Sequence, residues 1–169
     1  MIACAHKEFP KAHLVCSDML AFLEQQESCS VDCVIGLASL QHLYTIQERV
    51  RAFQHLYNVL SYGGRVLLLN RSFSDWFLRK YWKQIVSGVC TSTWKYGWQW
   101  NDYMIPWKSG TTDEVYQRYY HIFTLHELEQ LARLSGFKLI EACYVQSEGE
   151  KTIAWREGRN TLVVLEKGV

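Results

Sequence analysis

Residues 31–43, Val-Asp-Cys-Val-Ile-Gly-Leu-Ala-Ser-Leu-Gln-His-Leu, constrain the possible folds of this chain more than any other stretch. The first seven form a nearly continuous apolar run, the pattern of a strand covered on both faces. The run stops at a small-residue turn and passes into helical sequence. In an open α/β sheet, ligands bind outside the carboxyl ends of the strands, where such turns lie.

An α/β repeat follows. Thr45-Ile46-Gln47-Glu48 reads as a capping box, in which the Thr hydroxyl and Glu carboxylate satisfy each other's backbone donors. Ile46, Val50, Phe53, Tyr57 and Leu60 fall on one helical face. Gly63-Gly64 is expected to end that helix, and residues 65–70 (RVLLLN) read as the next buried strand. Upstream, residues 1–9 read as a helix stopped near Pro10, residues 12–16 as a short strand, and residues 20–25 as a helical turn. Downstream, Thr124 and Glu127 suggest a second capping box, with Leu128, Leu131 and Leu134 lining its helix and Gly136 closing it. Residues 137–145 and 161–166 read as strands joined by a polar hairpin loop.

Composition narrows the function classes. At 169 residues, 49% hydrophobic and 21% charged, the chain is expected to form one domain rather than a disordered segment. A net charge of +1 excludes a strongly basic arm but neither nucleic acid nor small anions. No apolar run reaches membrane-span length and no apolar signal region opens the chain, so a cytoplasmic protein without membrane contact is expected. Cys4, Cys16, Cys29, Cys33, Cys90 and Cys143 form no C-x-x-C, which favours buried reduced thiols over a metal site.

Residues 71–108 differ in character. They hold Trp76, Trp82, Trp94, Trp98, Trp100 and Trp107, with six Lys/Arg against two acids. A helix is expected over residues 73–86, then irregular structure around Gly88 and Gly97. Such a segment suits either a hydrophobic lid or a surface that stacks bases and holds phosphates.

Ser17-Asp18-Met19, residues 31–43, LSYGGRVLLLN and FTLHELEQLARLSGF, in this order and spacing, resemble class I S-adenosylmethionine-dependent methyltransferases past their first motif. The resemblance implies a Rossmann-like sheet of order 3-2-1-4-5-7-6, with residues 12–16 as strand three and residues 31–37 as strand four. A narrower likeness lies in Ile105-Pro106-Trp107, in Arg118-Tyr119-Tyr120-His121-Ile122-Phe123 and in residues 160–167. These look like the methyltransferases that esterify carboxymethyl uridine at the tRNA wobble position. The family's glycine-rich loop and ribose-binding acid, carried by its first two strands, have no counterpart here. The chain is therefore expected to be a single partial methyltransferase domain over residues 1–169, truncated at its N-terminus, with residues 71–108 as an insertion after the fifth family strand. Without strands one and two, strand four becomes an open edge, and marginal stability is expected.

The resemblance implies S-adenosyl-L-methionine as cofactor and tRNA as a partner. It places Asp18 and Met19 at the adenine, and Ala38, Ser39 and Leu40 under the cofactor. The residue-level alternatives are a helix N-cap at Asp18 and a plain tight turn at Ala38. Arg118 offers a fork for a substrate carboxylate, and His42 and His121 are candidate bases should the acceptor be a hydroxyl or amine. In a strand, Arg118 and His121 point to opposite faces, so one site could not use both unless the segment bends. A small-molecule methyltransferase, a non-catalytic methyltransferase-like subunit with a protein partner on the open edge, and an inert fragment are the competing readings.

Overall fold

The computed structural model describes residues 2–96, 98–108 and 114–168, with backbone alone over residues 88–96. Helices α1 (Ile2–Glu8) and α2 (Met19–Glu24) precede strand β1 (Val31–Leu37). A 3-10 turn, Leu40–His42, leads to α3 (Ile46–Val59) and β2 (Leu60–Arg71). Then come α4 (Asp75–Tyr96), a hairpin of β3 (Asp102–Lys108) and β4 (Val115–His121), α5 (Leu125–Leu134), β5 (Phe137–Val145), β6 (Lys151–Thr152) and β7 (Asn160–Lys167).

The main sheet has the order β1-β2-β7-β5-β6. β1 and β2 are parallel, and β7 runs antiparallel to both β2 and β5. This matches the 4-5-7-6 portion of the expected order, with β6 as a short addition. Residues from α2, α3 and α5, among them Leu23, Phe53, Leu56, Leu128 and Leu131, bury one face of the sheet together with Val66, Leu68, Val163 and Leu165. A second core joins α4 to the β3–β4 hairpin through Phe77, Tyr103, Ile105 and Ile122.

Several local expectations shift. Residues 12–16 form no strand, since no neighbour among the described residues pairs with them. β1 is covered on one face only: Val34 and Gly36 turn inward, while Val31, Cys33, Ile35 and Leu37 are exposed, with Ile35 62% and Leu37 61% accessible. Among the described residues no strand pairs with its other side, so it stands as an edge strand. The thiols of Cys4, Cys16, Cys29 and Cys33 are exposed as well, and only Cys143 is buried among the cysteines whose side chains are described.

The α3 capping box is present: Thr45 Oγ1 accepts from Glu48 N at 3.1 Å and Glu48 Oε2 accepts from Thr45 N at 2.8 Å. Its buried stripe is Arg49, Ala52, Phe53, Leu56 and Val59, rotated from the one expected, and Ile46 is exposed. The helix ends at Val59, ahead of Gly63-Gly64, which instead form an irregularity early in β2 with Gly63 at φ +76°. α4 runs past the expected end, through Gly88 to Tyr96, with a kink at Tyr81; Gly97 and the Trp94 side chain lie outside the described residues. Leu134 is exposed, because Leu128, Leu131 and Ala132 form the buried face of α5.

Candidate functional site

The carboxyl end of β1 carries a special backbone. Ala38 adopts φ +50°, a left-handed conformation that a residue with a Cβ rarely takes. Its N–H donates to Leu69 O of β2 at 2.7 Å, which holds the turn against the sheet. Gly36 permits this closeness, since a Cβ there would meet Leu68 Cδ2 at 2.8 Å. Ala38 is exposed and Ser39 half-buried with a hydroxyl that caps nothing, while Leu40 is buried in the main core. The result is an open small-residue floor anchored from below.

Asp18 lies at the N-terminus of α2, exposed, and its Oδ1 accepts from Leu20 N at 2.9 Å and Ala21 N at 3.1 Å. The N-cap role is thus present, and Oδ2 is left over for another donor. Met19 is half-buried and, like Leu40, packs with the main core.

The β3–β4 hairpin closes over the turn. His42 Nδ1 donates to Tyr119 O at 2.9 Å, and its ring meets Tyr120 edge-on at 4.8 Å. A carbonyl can only accept, so Nδ1 carries a proton and Nε2 is the ring nitrogen left for another partner. Arg118, the preceding residue of β4, holds its guanidinium carbon 3.8 Å from the Trp107 ring centroid. That stacking presents a guanidinium flat and leaves its N–H edge for a carboxylate.

His121, the other candidate base, is set apart from this turn. It is fully buried on the other face of β4, between Asp102 Oδ1 at 2.6 Å from Nδ1 and Glu127 Oε1 at 2.7 Å from Nε2. Burial pushes its pKa down, but the bonds to Asp102 and Glu127 outweigh it and raise the pKa above 6.5. Burial likewise pushes Asp102 up, and bonds from His121, Tyr119 and the Gln99 backbone more than reverse it, holding the carboxyl below 3.8. Tyr119 completes the group, with its hydroxyl 2.6 Å from Asp102 Oδ1 and its pKa raised by burial and by that carboxylate. Sequence reasoning missed Arg49, which is 1% exposed and donates to Leu43 O at 3.0 Å and to Gln99 Oε1. It also lies 3.8 Å from Glu127. The second capping box is therefore half-formed: Thr124 Oγ1 accepts from Glu127 N at 3.1 Å, but the Glu127 carboxylate is engaged by His121 and Asn101.

This sheet, with its floor at the end of β1 and a hairpin above, has known counterparts. No family model matches the chain. An S-adenosylmethionine-dependent methyltransferase of Clostridium acetobutylicum superposes with a TM-score of 0.65 at 12% identity, covering 99% of this chain and 71% of that one. One from Methanosarcina mazei gives 0.61 at 18% identity, covering 86% and 63%. The fold is that of the class I methyltransferases. A protein of Encephalitozoon cuniculi, an inferred methyltransferase, is 30% identical over 113 residues, or 67% of this chain. The chain spans 47% of that relative's length. Within the methyltransferase fold, β1, β2, β7 and β5 stand as strands four, five, seven and six. The structure brings Ala38–Leu40, His42 and the Arg118 strand to one end of that sheet, and it sets His121 apart in the interior. No described helix is long and apolar enough to cross a membrane.

Proposed function

We propose that this chain forms part of an S-adenosylmethionine-dependent methyltransferase that esterifies a carboxymethyl uridine of tRNA. The observation that carries the methyl-transfer reading is the left-handed, outward-facing turn at Ala38 at the end of β1, in a sheet with the methyltransferase order. Asp18 Oδ2 can accept from, and the Ser39 hydroxyl can donate to, the polar edges of such a cofactor. When bound there, the cofactor supplies an electrophilic methyl group on a sulfonium.

The residues of this chain then have few chemical tasks. A carboxylate acceptor is already ionised near neutral pH, so no general base is needed. What accelerates such a displacement is alignment in a water-poor site. Arg118, laid against Trp107, orients the acceptor carboxylate; the shared contact weakens the ion pair enough to leave an oxygen nucleophilic. The hairpin, clasped to the turn by the His42–Tyr119 bond, excludes water from above.

Titration with 5-carboxymethyluridine and with uridine tests the acceptor assignment. The carboxylate ligand is expected to bind more tightly, and Arg118→Ala to erase the difference while leaving the weak binding of uridine intact. Equal binding of the two nucleosides by the unaltered chain would remove the carboxylate reading.

A further inference from the structure

Three cations converge on one indole at the same end of the sheet. The Lys80 ammonium nitrogen lies 4.6 Å from the Trp76 ring centroid, and the guanidinium carbons of Arg159 and Arg71 lie 4.9 and 5.6 Å from it. Arg79 lines the same surface depression, bordered by one acid, Asp75. Among the described residues none of these four cations has a carboxylate partner in an ion pair. Like charges so gathered repel, and an aromatic face offsets only part of that. A bound anion relieves the rest.

The cluster draws on separate elements fixed to one another. Arg71 ends β2, and its N–H donates to Gln41 Oε1 at 3.0 Å, next to the floor at Ala38–Leu40. The carbonyl of Arg159 accepts from Ser72 N at 3.2 Å. Arg79 and Lys80 come from the first turns of α4. Phe73, between Arg71 and Trp76 in the chain, stacks on Trp100 at 5.2 Å and 11°. Trp100 is 62% exposed, and both rings border an apolar cavity of about 490 Å³ that also meets Tyr103, Tyr144 and Trp155.

We propose that the Trp76 cluster holds backbone phosphates of an RNA strand while the Trp100 cavity takes an unstacked base, beside the methyl-transfer end of the sheet. Proteins that hold single-stranded nucleic acid pair a basic track with aromatic platforms in this way. The aromatic surface here recedes into a cavity beside the cations, which suits a flat base better than the plane of a lipid surface. The choice of RNA rests on the acceptor reading above; the geometry of the cluster does not.

The test is fluorescence anisotropy of a labelled tRNA anticodon stem–loop on the 169-residue chain over a range of salt concentrations. Each phosphate contact in a single strand contributes roughly 0.7 to the log–log salt slope. Arg159→Gln and the exposed-helix double variant Arg79→Gln/Lys80→Gln are expected to lower the slope by about that amount per lost contact. Trp100→Ala is expected to weaken binding roughly fivefold or more at unchanged slope. Circular dichroism establishes that each variant is folded. A slope unaffected when Arg159→Gln is combined with Arg79→Gln/Lys80→Gln, or binding of phosphatidylglycerol vesicles or inorganic phosphate in preference to the RNA, overturns the proposal. Loss of cofactor binding with RNA binding intact would instead count against the methyl-transfer reading.

Discussion

His121 sits between Asp102 and Glu127 with no exposure, and its protonated form answers both carboxylates. Its removal takes the imidazolium from two acids and leaves the fully buried one, Asp102, with only neutral donors from Tyr119 and the Gln99 backbone. His121→Gln is therefore expected to lower unfolding stability by about 3–5 kcal/mol in urea denaturation. The pH dependence has a defined sign. With the folded pKa of His121 raised above 6.5, its contribution is complete below 6.5 and fades as pH climbs through the raised value. Asp102, held below 3.8, contributes above that value and fades as pH falls through its depressed one. Stability due to this pair is thus greatest between those two ordinary values. The gap between wild type and His121→Gln should narrow as pH rises above 6.5; a constant gap would mean that the imidazole is neutral when buried. Neither the cluster nor Arg49 was legible in the chain, because Arg49, Asp102, His121 and Glu127 come from four elements and each looks like an ordinary polar surface residue in its own segment. The half-used capping box at Thr124 is a trace visible only afterwards: a Glu that fails to cap has another partner.

At the scale of elements, β1 shows where sequence periodicity stops informing. A continuous apolar run specifies a strand with two apolar faces, and Val31–Leu37 is one. Whether both faces are covered depends on neighbours that the run itself does not encode. Here Ile35 and Leu37 face outward on an edge strand, so concentration-dependent association is expected. Ile35→Lys should reduce it, as read by sedimentation velocity, without a loss of helical signal. Gly36 has the opposite dependence on its neighbours, being packed onto Leu68. Gly36→Val is expected to destabilise by about 1–3 kcal/mol through overpacking; an unchanged melt would show that β1 and β2 can move apart freely. The extension of α4 beyond Val86 ran against the sequence for a related reason. Gly88 weakens a helix by only about 1 kcal/mol, which the hairpin packed on Phe77 and Ile85 can outweigh.

Over the whole molecule, the order of motifs was the readable part. The succession of strand, small-residue turn, capped helix and strand gave the α/β class, and the observed β1-β2-β7-β5 arrangement agrees with it. The turn at Ala38 was legible as small residues, though its left-handed conformation was not. The proposed cofactor contact at Asp18, Met19, Ala38 and Ser39 rests on that floor, with Leu40 packed in the core and the hairpin above. Amide chemical shifts recorded during titration with S-adenosylhomocysteine test this directly. The account predicts saturable shifts confined to residues 18–20 and 36–42, with the His121 cluster unmoved. Shifts centred elsewhere, or none up to the solubility of the ligand, would contradict it.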